Sequence, residues 1–313
     1  MRLILSQVHI TCEQPPELPG DTHVFQSWDD FSVGPLGAWG DWDRFFQERA
    51  AFHDQVWEAG ASGVVLEYMQ WIRSLPHLDL VALYKSGVDV SDIQWPLEFD
   101  EAVAQATNVE LWYDDTVQGH VFLWFVAAAY TQMGINRDAI SVCRHINWRD
   151  FKESVGFWND MLLDAATRKF KTRRPTATEW DQWAACWDAV AGPATTNFDV
   201  LGSVDEGARQ TIDVIRGRVP NPETGLSNIQ LSLLQFAPET WGGMSRVIVN
   251  AMKENWDHAD QLDHNVLKLE LEKMAGMDDP FVQIEGEGRM TQCRICLTSR
   301  GKAMKDRLFN PQT

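Results

Sequence analysis

Two pairs of neighbouring aspartates are the best candidates for chemistry in this sequence. Asp29 and Asp30 follow one segment with the pattern of a β-strand, and Asp114 and Asp115 follow another. If both strands belong to one parallel sheet, their carboxyl ends lie at the same edge, where such sheets bind ligands. Carboxylates gathered there would bind a divalent metal through oxygen or share acid–base chemistry. The alternative is local: Asp29 and Asp30 shape a turn, and Asp114 or Asp115 caps the next helix.

Three residues close to these aspartates complete the candidate ligand site. Gly34 lies in a turn-rich loop and would let the backbone approach a ligand, with nearby N–H groups holding an anion. Gln118 and His120 follow Asp115 within about a turn of helix. Gln118 would orient a polar substrate, and His120 would act as a base or a ligand. The alternative for His120 is a polar side chain with an ordinary hydrogen bond.

The sequence identifies no cofactor. The glycines near Gly34 lack the G-x-G-x-x-G spacing, which disfavours a standard dinucleotide enzyme. No G-x-x-x-x-G-K-[ST] motif occurs, which excludes a P-loop enzyme. Cys293 and Cys296 have C-x-x-C spacing but no second pair, and a structural zinc needs four ligands. The cysteines therefore predict no structural zinc site, no residue is assigned as a metal ligand beyond the alternative at the aspartate pairs, and the sequence leaves open whether the chain is an enzyme.

The C-terminal segment has the pattern of a winged helix. Three helical patterns are followed by two short strand patterns, and three helices with a β-hairpin are typical of this relative of the helix-turn-helix. The helices are predicted at 228–236, 244–255 and 264–274, and the strands at 281–284 and 293–297. A further helix is predicted to begin near Thr298.

Basic side chains in this segment are candidates for contact with nucleic acid or a partner protein. Arg289, Arg294, Arg300 and Lys302 form a locally basic stretch in and after the hairpin, which suits phosphate contact by a wing. Lys268 lies in the predicted recognition helix, whose charges are mixed. Winged helices also serve as packing or protein-binding modules, so contact with a protein is the alternative.

The elements before this segment predict an α/β fold. Strand patterns alternate with helical patterns, which indicates βαβ units and a parallel sheet covered on both faces. The strand patterns lie at 2–10, 22–27, 108–113 and 139–143, and the helical patterns at 41–58, 64–72 and 117–133. We predict a parallel-sheet α/β domain at 1–150, a helical connector at 151–222 and a winged-helix-like domain at 223–313.

Composition and charge narrow the function classes. The 313 residues include 44% hydrophobic and 23% charged residues, which is typical of a globular protein with a sizeable core. The net charge of -18 argues against broad nucleic-acid binding, because phosphate contact needs a basic surface. Five scattered cysteines are typical of reduced thiols. Apolar runs are too short to span a membrane, and no export signal is visible, so we expect a cytoplasmic protein without membrane contact.

Four segments give the chain a resemblance to a known family. They are Trp28 to Leu36, Glu110 to Gln118, Arg173-Arg174-Pro175, and a C-terminal unit that opens at Gly225-Leu226-Ser227-Asn228 and closes at Leu297 to Gly301. In this order they resemble an uncharacterised bacterial family, domain of unknown function 1835. The family's N-terminal strand commonly leads to a Gly-Asp pair, where this chain has His9 to Glu13. The resemblance implies a fold and an arrangement, and no established activity.

Three functions remain as expectations. The first is a binding or regulatory protein that couples an α/β ligand-sensing domain to a winged helix, which contacts nucleic acid or a protein. The second is an enzyme that acts on a polar or phosphorylated small molecule at the acidic edge of the sheet. The third is a structural or adaptor protein, which the fifteen tryptophans favour as packing and interface anchors.

Overall fold

A computed structural model describes most of the predicted elements. The described residues are 2–6, 22–26, 31–37, 39–60, 78–79, 106–132, 134–144, 172–192, 206–257 and 260–310. The chain divides into two compact units. The first comprises residues 1–32, 72–191 and 195–208, and the second comprises residues 33–71, 192–194 and 209–313. The predicted helix at 64–72 lies outside the described residues.

The first unit contains a mostly parallel sheet. Its strands are β1 (Arg2–Ser6), β2 (Thr22–Gln26), β3 (Leu78–Asp79), β4 (Asn108–Tyr113) and β5 (Ile140–Arg144). Their order is β3-β2-β1-β4-β5; β1 pairs in parallel with β2 and β4, β4 pairs in parallel with β5, and β3 is antiparallel to β2. The mixed α/β class and the parallel sheet are confirmed.

Helix α2 (Val117–Gln132) is buried on nearly all sides, because its residues from Val117 to Tyr130 are almost entirely apolar. It packs against β4 and against α3 (Ala177–Ala191). The Trp180 indole on α3 donates to the Thr131 hydroxyl on α2 over 3.0 Å. Gly134, two residues after the end of α2, has a φ of +68° and donates its N–H to the Thr131 carbonyl. Its left-handed backbone is the conformation that ends helices at glycine.

Helix α3 begins at a capping box. The Thr176 hydroxyl accepts from the Glu179 N–H over 3.1 Å, and the Glu179 carboxylate accepts from the Thr176 N–H over 2.8 Å. Arg173 binds the same carboxylate and exchanges two backbone hydrogen bonds with Val142 of β5. The Arg-Arg-Pro segment thus connects the edge of the sheet to the start of α3.

The second unit has a core built by four helices. These are α1 (Trp42–Gly60), α5 (Asn228–Phe236), α6 (Met244–Asp257) and α7 (His264–Ala275). Buried apolar side chains from all four form one cluster, with Phe52 from α1, Leu233 from α5, Ile248 from α6 and Leu271 from α7 among them. Helix α1 therefore packs with the C-terminal helices, against α7 in particular. Most of α4 (Glu206–Arg216) also belongs to this unit.

The C-terminal part of this unit places a small sheet among helices. After α5, strand β6 (Gly242–Gly243) leads into α6 and α7, and β7 (Val282–Glu285) and β8 (Arg294–Leu297) form a hairpin before α8 (Ser299–Phe309). The sheet is antiparallel with the order β6-β8-β7. Asp263 caps α7, because its side chain accepts from the Asn265 N–H. Thr298 caps α8 in the same way through the Gly301 N–H.

The predicted domain limits at 150 and 222 stay predictions. The helix at 42–60, which we assigned to the α/β domain, groups with the C-terminal unit. Its apolar face has its partners on helices about two hundred residues later in the sequence. None of the helices among the described residues is long and apolar enough to cross a membrane.

Candidate functional site

The first candidate site lies where the strand order in the sheet of the first unit reverses. Strand β1 lies between β2 and β4, so the chain builds one side of the sheet first and then continues on the other side. Ligands of open α/β sheets bind outside the carboxyl ends of the strands at such a switch point. Asp114 and Asp115 directly follow β4, so the structure places this aspartate pair at the expected edge.

The Asp114 carboxylate accepts hydrogen bonds from Thr116, directly before α2. Its Oδ1 accepts hydrogen bonds from both the backbone N–H and the hydroxyl of Thr116, the first of these over 3.0 Å. The Thr116 hydroxyl in turn accepts from the Gly119 N–H over 3.0 Å, so Thr116 is the capping residue. Burial raises the pKa of the Asp114 carboxyl, against the opposing effect of the Thr116 hydrogen bonds. The start of α2 is therefore close to the alternative given above, in which Asp114 or Asp115 caps the helix. The difference is that Thr116, and not an aspartate, is the capping residue.

Gly119 allows the close contact between the end of β4 and the first turn of α2. A Cβ at this position would lie 2.3 Å from Asp114 Oδ1 and 2.4 Å from the Asp114 carbonyl oxygen. Gly119 could not be identified from the sequence, because an isolated glycine in a helix carries no signal of a close tertiary contact. Thr116 was missed too, although a threonine just before an apolar helix is a recognisable cap.

Asp115 forms an ion pair with Arg144, the last residue of β5. Both guanidinium nitrogens that face it, Nε and Nη2, donate to its two carboxylate oxygens. The contact is bidentate, the geometry in which arginine binds carboxylates most specifically. Asp115 therefore connects neighbouring parallel strands, and Arg144, like Gly119 and Thr116, was not predicted from the sequence.

Gln118 and His120 lie inside the unit. Gln118 is 7% exposed, and its amide nitrogen donates to the Ser32 hydroxyl over 3.4 Å. His120 is 5% exposed, with its ring centroid 6.3 Å from the Tyr113 ring and 6.2 Å from the Trp124 ring. The arrangement combines a polar pair, Gln118 with Ser32, and an imidazole among aromatic rings. Gln118 and His120 both lie on α2, which begins at the switch point.

Gly34 belongs to the second unit, where α1 packs against it. Its φ is +82°, and a Cβ would lie 2.6 Å from the Phe52 ring and 2.8 Å from Arg49. The buried Arg49 guanidinium donates to the carbonyls of Val33 and Pro35 on either side of it. The glycine is therefore required for packing. The carbonyls of this loop thus bind the guanidinium of Arg49. Binding of an anion by the N–H groups of the loop stays a prediction.

The other aspartate pair, Asp29 and Asp30, lies outside the described residues. Whether the two pairs meet stays a prediction. Among the residues that the structure does describe, no three His, Cys, Asp or Glu side chains lie together as metal ligands would.

The second candidate site is the basic group in the C-terminal unit, and Lys268 is buried there. Its side chain is 6% exposed, and its Nζ lies 2.5 Å from Glu272 Oε1. Glu270 is also engaged, with Lys273 over 2.6 Å and with Gln230 over 2.9 Å. Of the twelve residues of α7, six are buried, whereas the side chains of His264, Glu272 and Lys273 are 45%, 40% and 47% exposed. The middle of this helix is therefore buried, and its exposed side chains lie near the two ends.

The basic residues of the hairpin and α8 are exposed to differing degrees, and most bind groups of their own unit. Arg289 is exposed in the turn between β7 and β8. Arg294 lies 3.4 Å from Glu285, and its guanidinium lies 5.8 Å from the centre of the Trp241 ring. Arg300 donates to the Asp279 carbonyl and stacks 3.8 Å from the Phe281 ring. Lys302 lies 3.9 Å from Glu239. A nucleic-acid role for these residues stays a prediction.

Comparisons with known proteins add no relative: no family model matches the chain, and no curated protein or solved structure matches it either. The resemblance to domain of unknown function 1835 stays a prediction on the four segments that carry it.

Proposed function

We propose that this chain is a binding or regulatory protein whose C-terminal part is a winged helix that contacts a protein. The element order helix, strand, helix, helix, hairpin supports the winged-helix assignment, as does the sheet order β6-β8-β7. The same arrangement agrees with the expected kinship to domain of unknown function 1835. In this assignment α7 is the recognition helix and the turn 286–293 is the wing.

The covered surface of α7 is the observation that favours a protein over a nucleic acid as partner. A recognition helix reads bases with exposed side chains that enter the major groove. Here α1 packs against α7, and the central lysine, Lys268, is buried beside Glu272. The net charge of -18 opposes phosphate contact as well. A winged helix whose recognition helix packs against another helix of its own unit is suited to packing and to protein contact.

We further propose that the α/β unit binds a small polar ligand near the start of α2. The switch point beside β4 supports this location, and Gln118 with Ser32 provides buried hydrogen-bonding groups there. The enzyme alternative has less support. Catalysis by Asp114 or Asp115 needs a carboxylate free to bind metal or move a proton, whereas Asp114 accepts hydrogen bonds from Thr116 and Asp115 binds Arg144.

A titration with duplex DNA tests the choice between nucleic acid and protein. Fluorescence anisotropy of a labelled random duplex of about 30 base pairs, read between about 50 mM and 200 mM salt, reports phosphate contacts through their salt dependence. The full chain is compared with Lys268→Met and with Arg289→Gln. The first variant changes the buried lysine, and the second changes an exposed wing residue.

We expect no saturable binding with a dissociation constant below about 1 µM, and no difference between the parent and Lys268→Met. Binding tighter than that, weakened by salt and lost in Lys268→Met, would show that α7 reads DNA and would overturn the proposal. Tight binding lost only in Arg289→Gln would assign nucleic-acid contact to the wing and would overturn it as well.

A further inference from the structure

Strand β7 lies at one edge of the small C-terminal sheet. The order β6-β8-β7 leaves one side of β7 without a neighbouring strand among the described residues. Opposite residues of the hairpin are Val282 with Leu297, Gln283 with Cys296, Ile284 with Ile295 and Glu285 with Arg294. An exposed edge strand offers a row of backbone donors and acceptors to another chain.

The hydrogen bonds around β8 identify which groups face the open edge. The Leu297 N–H donates to the Pro238 carbonyl over 2.8 Å, on the side of β8 away from β7. The Thr298 N–H donates to the Phe281 carbonyl over 3.1 Å. The Val282–Leu297 pair is therefore a non-hydrogen-bonded pair of the antiparallel ladder, and by alternation so is Ile284 with Ile295. The N–H and carbonyl groups of Val282 and Ile284 consequently point outward.

A groove of about 520 Å³ is lined by all four residues of β7 together with Ala275, Pro280 and Trp241, which directly precedes β6. Five of its lining residues are apolar: Trp241, Ala275, Pro280, Val282 and Ile284. Trp241 is 39% exposed, with the Arg294 guanidinium 5.8 Å from the centre of its ring. Free backbone groups and an apolar groove together are what an extended peptide uses when it adds a strand to a sheet.

Charge indicates the kind of peptide. The segment 271–287, which includes β7 and its flanks, carries five acidic residues and one basic residue. Three of the acidic residues pair with basic side chains of the same unit: Glu272 with Lys268, Asp279 with Arg300 and Glu285 with Arg294. Asp278 before β7 and Glu287 after it are both exposed. Lysine or arginine at the two ends of a bound strand would meet these carboxylates. A second copy of this chain would instead bring its own Asp278 and Glu287 to the same edge, which like charges disfavour.

We propose that β7 and the groove beside it bind an extended, basic and alternately apolar segment of a partner protein by strand addition. The proposal rests on the proposed function, because it specifies which surface of the winged helix makes the protein contact. The outward groups of Val282 and Ile284 form the backbone bonds. Trp241 receives an apolar side chain, and Asp278 and Glu287 bind the basic ends of the segment.

A synthetic peptide tests the proposal. The probe alternates valine and threonine between terminal lysines and carries a fluorophore. One control peptide is N-methylated at alternate residues, which removes the strand donors, and another has terminal glutamates. Binding to the full chain is read by anisotropy, and amide exchange of residues 281–285 is read by mass spectrometry. The protein variants are Trp241→Ala, Asp278→Asn with Glu287→Gln, and Val249→Ala as the control for an exposed apolar side chain elsewhere.

We expect saturable binding of the lysine probe, slower exchange at 281–285, and at least about tenfold weaker binding to Trp241→Ala with Val249→Ala unchanged. The N-methylated and glutamate peptides should not bind. The proposal is overturned if the lysine probe does not bind, or if N-methylation leaves binding intact. Concentration-dependent dimers that protect 281–285 without peptide overturn it in favour of self-association. These results leave the DNA titration untouched, so a failure here is distinct from a failure of the proposed function.

Discussion

Substituting alanine for Gly119 sets two physical effects against each other. Helix propensity alone favours alanine over glycine in a helix by about 1 kcal/mol. The added Cβ would lie 2.4 Å from the Asp114 carbonyl oxygen and 2.9 Å from its amide nitrogen, and backbone atoms cannot rotate away. Overpacking of this kind costs about 1–3 kcal/mol. With the cost at its upper end, the net loss of unfolding free energy is about 2 kcal/mol.

Urea denaturation followed by circular dichroism measures this loss. With a slope of about 2 kcal/mol per molar urea, the midpoint should fall by about 1 M. Gly37→Ala is the matched control, because a Cβ there meets nothing within 4 Å, and its midpoint should stay the same or rise slightly. A Gly119→Ala chain as stable as the parent, or more stable, would refute the close approach of α2 to β4.

Three further predictions concern the two units. Burial raises the pKa of Asp114 above its ordinary 3.8, so its contribution to stability is full below that pH and is lost as pH rises through the folded pKa. Asp114→Asn should therefore gain stability relative to the parent across that window, as urea titrations at several pH values would show. Phe52→Ala should destabilise the second unit by about 3–5 kcal/mol in the same assay, because the ring is buried in its core. A ligand from a metal and nucleotide panel that raises the melting temperature should lose its effect in Gln118→Ala, and an unchanged shift would move the ligand away from α2.

Local signals in the sequence were enough to predict four helices and the β-hairpin of the C-terminal unit, but not α4 or the short strand β6. The capping role of Asp263 follows from an acceptor side chain placed before an apolar pattern, and so does that of Thr298. The parallel sheet followed from strand patterns alternating with helical ones. Helix α1 was predicted within two residues, but its partners were not, because an apolar face does not specify which distant face it contacts.

The candidate site was predictable in position and less so in role. Asp114 and Asp115 were predicted as site residues because they follow a strand pattern, and they do lie at the carboxyl end of β4. Their engagement by Thr116 and Arg144 depends on the register of β4 against β5 and on the first turn of α2, neither of which spacing reveals. Lys268 shows the same limit, because a lysine in a mixed-charge helix reads as exposed until its neighbours are known.

Lysine acetylation of the native chain tests the covered recognition helix most directly. Lys268 and Lys273 lie on the same helix, but their side chains are 6% and 47% exposed. Brief treatment with an acetylating reagent, followed by mass spectrometry of the peptides, gives both rates in one experiment. We predict that Lys273 reacts readily and that Lys268 stays unmodified until the chain is unfolded. Equal rates for the two lysines in the native protein would mean that the middle of α7 is open to solvent, and would contradict the assignment of this winged helix to protein contact.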